Sequence, residues 1–203
     1  MKERTMPELK IGDLRIKIPI IQGGMAVGIS LSGLAAAVAN AGGVGVIATA
    51  GIGMMEPDFN SDFKQANQRA LRKQIRKARE STEGVIGINI MVALSDFKDM
   101  VRISVEECAD IVLLGAGLPL RDLEMLIPKH SGEKKPKIIP IVSSSRAAKV
   151  IFQYWQKNYQ HIPDAVVLEG PQAGGHLGFK REQIDHPDYT LEKILPKLIS
   201  VLK

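Results

Sequence analysis

The stretch AVVLEGPQAGGHLG, residues 165–178, decides how this chain of 203 residues is interpreted. Residues 165–168 are uncharged and rich in β-branched valine, which predicts a strand buried on both faces of a parallel sheet. The next residues include Gly170, Pro171, Gly174, Gly175 and Gly178, so the backbone turns sharply and leaves several N–H groups unobstructed. A loop of this kind, at the carboxyl end of a strand, is where α/β folds bind anionic ligands.

His176 lies inside this glycine-rich loop and is the candidate catalytic residue. One interpretation is a solvated histidine in a tight turn, which is the commoner state of an isolated histidine. The other is a histidine that acts on a bound ligand. The surrounding glycines and the neighbouring Glu169 favour the second interpretation, because they place titratable groups where the backbone can approach a ligand closely.

Other apolar runs divide the chain into repeating units. Together with residues 165–169, they predict six strand–loop–helix units at a spacing of roughly 30 residues. Such alternation predicts an α/β fold in which helices lie outside a parallel sheet. The five further strands are predicted at residues 18–22, 44–49, 85–91, 111–114 and 137–142.

Three local signals place the ends of these units. Residues 9–16 predict a hairpin around Gly12 and Asp13 that caps one end of the fold. A helix over residues 31–40 is predicted to begin from a serine cap at Ser30 or Ser32. Apolar residues at helical spacing predict a last helix over residues 191–202.

Two further features follow or interrupt the predicted strands. Gly23, Gly24 and Gly28 come after the first strand and form either a strained turn or a loop that holds a cofactor. Asn89 is the one polar residue of an otherwise apolar strand. It needs hydrogen-bond partners, because an unpaired buried amide costs about 1–3 kcal/mol. Those partners are either neighbouring backbone groups or a ligand.

Composition narrows the class of protein. Hydrophobic residues make up 45% of the chain and glycines number 19, which fits an α/β protein with a sizeable core. The single Cys108 excludes an intramolecular disulfide, and no metal site is recognisable. No apolar run approaches the ~20 residues that span a bilayer, so we expect no membrane segment and a cytoplasmic location.

The basic character of the chain has a structural explanation. The net charge is +5 and the pI about 9.3, which would suit a nucleic-acid partner. Much of the excess, however, lies on one face of an amphipathic helix over residues 63–79, and no aromatic residues are interleaved to stack on bases. We therefore expect a solvated helix face and no nucleic-acid partner.

Three segments resemble one enzyme family. Residues 169–178, EGPQAGGHLG, are similar to the signature of the nitronate monooxygenase family, formerly called 2-nitropropane dioxygenases, which are FMN-dependent (β/α)-barrel enzymes. Residues 18–25, IPIIQGGM, resemble the first barrel strand of that family and its flavin-contacting loop. Residues 87–90, GINI, resemble a strand whose asparagine contacts FMN. A sister group, the FMN-dependent enoyl-acyl-carrier-protein reductases, shares the signature.

The resemblance implies FMN as the cofactor and a nitroalkane or nitronate as the small-molecule substrate. It implies that His176 takes the acidic α-proton of a nitroalkane or orients an ionised nitronate. In the sister group, NAD(P)H would reduce the flavin and the substrate would be an enoyl thioester. The residues implied to contact the flavin ring or ribityl chain are Gln22, Gly23, Gly24, Met25, Asn89 and Glu169, and the N–H groups of Gly174 and Gly175 are implied to support the phosphate.

The chain departs from the family pattern in two respects. Glu169 and Gln172 stand where relatives commonly carry glutamine and glutamate, so a negative charge lies near the implied flavin. A (β/α)-barrel takes about 250 residues, whereas residues 1–203 correspond to a single FMN-binding domain with about six of the eight units. The alternatives are truncation before the seventh strand, a shortened natural paralogue, and a second chain, such as another copy, that completes the barrel. A non-catalytic fragment or subunit is therefore an alternative to an enzyme.

Overall fold

The computed structural model describes residues 6–130 and 132–202. Within them, a short hairpin precedes a series of parallel strands and helices. The strands are β1 (Leu9–Ile11), β2 (Leu14–Ile16), β3 (Gly45–Ala48), β4 (Ile86–Met91), β5 (Ile111–Gly115), β6 (Lys137–Val142) and β7 (Val167–Leu168). The helices are α1 (Ser32–Asn40), α2 (Phe63–Ser81), α3 (Phe97–Glu106), α4 (Ser145–Tyr159) and α5 (Leu191–Leu202), with 3₁₀ turns at Arg181–Gln183 and Pro187–Tyr189.

Strands β3 to β7 form one sheet in which neighbours along the chain are neighbours in space. All four pairings are parallel. Helices α2, α3 and α4 connect β3 to β4, β4 to β5 and β6 to β7, as in a (β/α) barrel. The prediction of an α/β fold of (β/α)-barrel type with a parallel sheet is confirmed.

The two faces of the sheet have different coverings. On one face, the alternate residues Ile86, Ile88 and Ile90 of β4 are fully buried against the apolar side chains of the helices. Because side chains alternate along a strand, Asn89 and Met91 lie on the opposite, inner face. The inner face is apolar at its amino end, where the hairpin residues Ile11 and Ile16 pack on Val44, Val46, Ile111, Leu113 and Ile139.

A charged contact fastens the hairpin to the sheet. The ammonium of Lys137, the first residue of β6, lies 2.6 Å from a carboxylate oxygen of Asp13 and 3.7 Å from one of Asp164. The hydrogen bond to Asp13 raises the pKa of Lys137, and the same contact lowers the pKa of Asp13. The predicted hairpin around Gly12 and Asp13 therefore closes the amino end of the strands.

Two predicted strands differ from the structure. Residues 18–22 make only a single parallel bridge, between Ile21 and Val44, and no full strand. At the other edge, residues 165–168 are half-buried, and only Val167–Leu168 is a strand. The prediction of burial on both faces is wrong, because β7 is the edge of the sheet and has a neighbour on one side only.

The basic helix α2 is paired with acidic residues of the next unit. Arg76 donates two hydrogen bonds to Glu107, and Arg79 lies 2.7 Å from Asp110. Hydrogen bonding to Arg76 lowers the pKa of Glu107. Within the described residues, no helix combines the length and the apolar character needed to cross a membrane.

The contact between α1 and β3 leaves no room for a side chain at Gly45. A Cβ atom there would lie 1.8 Å from the carbonyl oxygen of Ala35. We expect Gly45→Ala to lower the free energy of unfolding by about 3 kcal/mol, because the helix must move off the strand. Gly33→Ala, in the same helix, is the matched control, since its Cβ meets no atom within 4 Å. Urea unfolding measures both, and equal stability of the two variants would contradict this packing.

Candidate functional site

A cleft of about 520 Å³ lies at the carboxyl edge of the sheet. The loops that follow the first bridge, β3, β5 and β7 contribute to it, together with residues at the carboxyl ends of β4, β5 and β6, where ligand sites of parallel sheets lie. Eight of the nine residues that the sequence singled out line it, and Gln22 is the exception. The eight are Gly23, Gly24, Met25, Asn89, Glu169, Gly174, Gly175 and His176, and the remaining lining residues are Ala26, Ala50, Met91, Gly115, Ala116 and Ile141.

The first loop of the cleft is wrapped around the hydroxyl of Ser30. This fully buried Oγ accepts hydrogen bonds from the N–H of Met25 at 3.0 Å and from Nε2 of Gln22 at 2.9 Å. It also donates to the carbonyl of Gly23 at 3.2 Å. The predicted serine cap of α1 is therefore wrong, because Leu31 occupies the cap position without a side-chain hydrogen bond. Ser30 supports the cleft instead.

Gln22 lies beneath this loop rather than in the cleft. Its Nε2 donates to Ser30 and to the carbonyl of Val46, and its Oε1 accepts from the N–H of Val46. Both amide donors are thus engaged within the protein. The side chain links the first loop to β3 and does not line the cleft.

Gly24 and Asn89 meet across the cleft floor. A Cβ atom on Gly24 would lie 2.5 Å from Cγ of Asn89, so only glycine allows the loop to approach this amide. The backbone carbonyl of Asn89 accepts hydrogen bonds from Thr49. Within the described residues, its side-chain amide makes no hydrogen bond and it lines the cleft. The amide is therefore available to a ligand as both donor and acceptor.

The glycine-rich loop is clamped at Gly178. The N–H of Gly178 donates to a carboxylate oxygen of Glu169 at 2.8 Å, and its carbonyl accepts from the hydroxyl of Ser143 at 3.1 Å. A Cβ atom at this position would lie 2.2 Å from that hydroxyl. Glu169 thus closes the loop that begins with it, besides contributing a negative charge to the cleft wall.

His176 occupies the outer part of the cleft. Its side chain is exposed, and its ring nitrogens make no hydrogen bond to other described residues. The N–H groups of residues 174–177 likewise donate no hydrogen bond within the part of the chain that the structure describes. A histidine beside several free backbone donors can exchange a proton with a ligand while the donors bind an anion.

Sequence reasoning missed several lining residues, most of them small or apolar. Ala26, Ala50, Met91 and Ile141 carry no chemical signal of their own. Only their position in the chain could have identified them, because each lies at or near the carboxyl end of a strand or in the loop that follows it, where α/β folds bind ligands. Ser30 had no such signal, since its partners lie in a loop whose path depends on the folded chain.

A model of the family described as nitronate monooxygenase matches residues 8–116. Among curated proteins, the chain is 26% identical over 163 residues to a 5-hydroxy-7a-methyl-1-oxo-octahydro-1H-indene-4-carboxyl-CoA dehydrogenase of Mycobacterium tuberculosis. The match covers 80% of this chain and 38% of that protein. A protein of the same name from Rhodococcus jostii matches with the same identity and coverage.

Two solved structures share the fold. FabK from Thermotoga maritima is 31% identical, with a TM-score of 0.66 over 93% of this chain and 49% of FabK. A nitroalkane oxidase from Streptomyces ansochromogenes is 19% identical, with a TM-score of 0.67 over 92% of this chain and 56% of the oxidase. The chain thus spans about half the length of these structures and 38% of the curated relatives.

Ser30→Ala tests the support of the first loop. Removal of the hydroxyl leaves the N–H of Met25 and one of the two amide N–H groups of Gln22 without a partner, so we expect the free energy of unfolding to fall by about 2 kcal/mol. Ser32→Ala is the matched control, because Ser32 is also buried but its hydroxyl makes no hydrogen bond to residues 22–25. Chemical denaturation gives both values. A Ser30→Ala variant as stable as Ser32→Ala would argue against the hydroxyl as the centre of this loop.

Proposed function

The chain belongs to the nitronate monooxygenase family, and on that premise we propose that it forms an FMN-dependent oxidoreductase site that oxidises nitroalkanes and their nitronates. The observation that carries the proposal is the convergence of His176, Asn89 and two glycine-rich loops on one cleft. We further propose that residues 1–203 act as a single FMN-binding domain of a (β/α) barrel.

The lining of the cleft suits a flavin. Its volume of about 520 Å³ lies within the range of small-molecule sites. Met25, Met91 and Ile141 offer apolar contact to a flat ring, while the unbonded amide of Asn89 can pair with polar atoms at the ring edge. The free N–H groups of residues 174–177 can bind phosphate oxygens. These features support the assignment of Gly23, Gly24 and the other lining residues to cofactor contact.

His176 supplies the acid–base chemistry. As a neutral imidazole, it takes the α-proton of a nitroalkane and leaves the nitronate anion, or it orients a nitronate that is already ionised. Its exposed position at the cleft mouth lets it return that proton to solvent. FMN, when bound, supplies the electron acceptor and the reaction with oxygen.

A second candidate function is the reduction of an enoyl thioester with NAD(P)H. It is favoured by the 31% identity to FabK and by relatives named as dehydrogenases of a carboxyl-CoA compound. In that reaction His176 would supply a proton and would not remove one. A non-catalytic subunit or fragment is the alternative of a different class, in which the cleft binds no flavin in this chain.

The first test is cofactor retention. The purified chain is mixed with excess FMN and desalted, and we expect flavin absorbance to remain with the protein. Asn89→Ala should weaken FMN binding about fivefold, because about 1 kcal/mol of hydrogen bonding is lost. Asn158→Ala is the control, since its amide bonds the carbonyl of Tyr154 on the surface of α4. A colourless parent protein would favour the non-catalytic alternative.

The second test separates the reactions. Oxygen consumption is measured with a neutral nitroalkane and with its preformed nitronate. His176→Ala should lower the rate with the nitroalkane by about 10²- to 10⁴-fold, whereas the nitronate, which needs no deprotonation, should lose much less. Equal losses with both substrates would contradict the role as a base. NADH oxidation that depends on an enoyl thioester, without oxygen consumption on nitronates, would establish the second candidate instead.

A further inference from the structure

The connection after β5 contributes to the wall of the cleft at Ala116, and its described residues contain no helix. Residues 116–130 pass from the end of β5 through a series of turns. Ala116 lines the cleft, and Leu123 and Leu126 are fully buried in the main core. Ala116 is thus the part of this segment that faces the cleft, and the segment is anchored in the core at Leu123 and Leu126.

The start of this wall has a strained backbone. Ala116 has a φ of 53°, and Gly117 follows with a φ of 144°. A left-handed conformation is costly for alanine, and such residues persist only where the surrounding structure holds them in place. On one side, the carbonyl of Gly115 accepts a hydrogen bond from the N–H of Val92 at 2.8 Å. The residues on the C-terminal side of Ala116 and Gly117 must be held by other contacts.

Helix α4 provides that support through two aromatic residues. The indole N–H of the fully buried Trp155 donates to the carbonyl of Pro119 at 2.7 Å. One turn later, the hydroxyl of Tyr159 donates to the carbonyl of Leu120 at 2.9 Å. The two rings pack edge to face with centroids 5.7 Å apart. Consecutive carbonyls of the loop are therefore bound by one rigid pair.

We propose that Trp155 and Tyr159 are positioning residues that hold the cleft wall at Ala116 from outside the sheet. Neither residue lines the cleft, so their effect on a ligand passes through the backbone of residues 116–120. The geometric part of the proposal stands on the hydrogen bonds alone. Its consequence for cofactor binding rests on the proposed function.

The Tyr159 hydroxyl is suited to this role because it stays protonated. Burial raises the pKa of Tyr159 to about 12, and the charge of Glu124 acts in the same direction. A phenol can donate a hydrogen bond only while it carries its proton. The contact with Leu120 therefore persists across neutral and moderately alkaline pH.

The test uses Tyr159→Phe, which removes the donor and keeps the ring. Tyr154→Phe is the matched control, since Tyr154 is also half-buried on α4 and packs against Tyr159, but its hydroxyl makes no hydrogen bond to a described residue. Hydrogen–deuterium exchange of residues 116–127 is measured without FMN, with β4 and β6 as internal references. We expect about tenfold faster exchange in this segment for Tyr159→Phe only.

Flavin titration supplies the second measurement. Tyr159→Phe should weaken FMN binding about fivefold and change the visible circular dichroism of the bound flavin, while Tyr154→Phe should match the parent. Unchanged exchange in residues 116–127 would overturn the proposal. Faster exchange with unchanged FMN affinity and spectrum would also overturn it, because the wall would then move without consequence for the cleft. If the parent binds no FMN, the proposed function fails, and the exchange experiment still decides whether the pair holds the wall.

Discussion

The in-register parallel ladder from β3 to β7 is the constraint on which the rest of the structure depends. Its pairings place Ala48, Asn89, Leu113 and Ile139 side by side in one row across the sheet. Because all strands run in the same direction, their carboxyl ends meet at one edge, and residues far apart in the chain converge there. Since the helices cover one face, the inner face is left to the hairpin at one end and to the cleft at the other.

Local patterns were sufficient for most of the fold. The sequence correctly predicts the hairpin at residues 9–16, strand β6 and helix α5. Turn residues and the spacing of apolar residues, every second residue in a strand and every 3.6 residues in a helix, are properties of a short segment. The errors lie where a distant neighbour decides. Residues 18–22 have the composition of a strand but form only one bridge, and β7 is half-buried because nothing pairs with its outer side within the described sheet. Neither fact can be obtained from the segment itself.

The site shows the same division. The glycine-rich loops, His176 and the lone polar Asn89 are recognisable in the sequence pattern, whereas Gln22, Met25 and the flavin-contact roles came from the family resemblance. Eight of these nine residues line the cleft. The contacts that each side chain makes in the folded protein could not be predicted from the sequence. Gln22 bonds Val46, 24 positions away, and Ser30 binds a loop instead of capping its helix. Glu169 closes the loop on Gly178 as well as facing the cleft. These roles depend on partners that the chain reaches only after folding.

The clamp at Gly178 ties together residues contributed by two different units. Its amide and its carbonyl are held by Glu169 and Ser143, and the space for a side chain is already occupied by the Ser143 hydroxyl. Substitution at position 178 is therefore sterically linked to position 143. Substitutions at positions 178 and 143 should therefore occur together in homologues. If the glycine-rich loop is transferred to another barrel, it should keep its shape only when a serine is also placed at the position of Ser143.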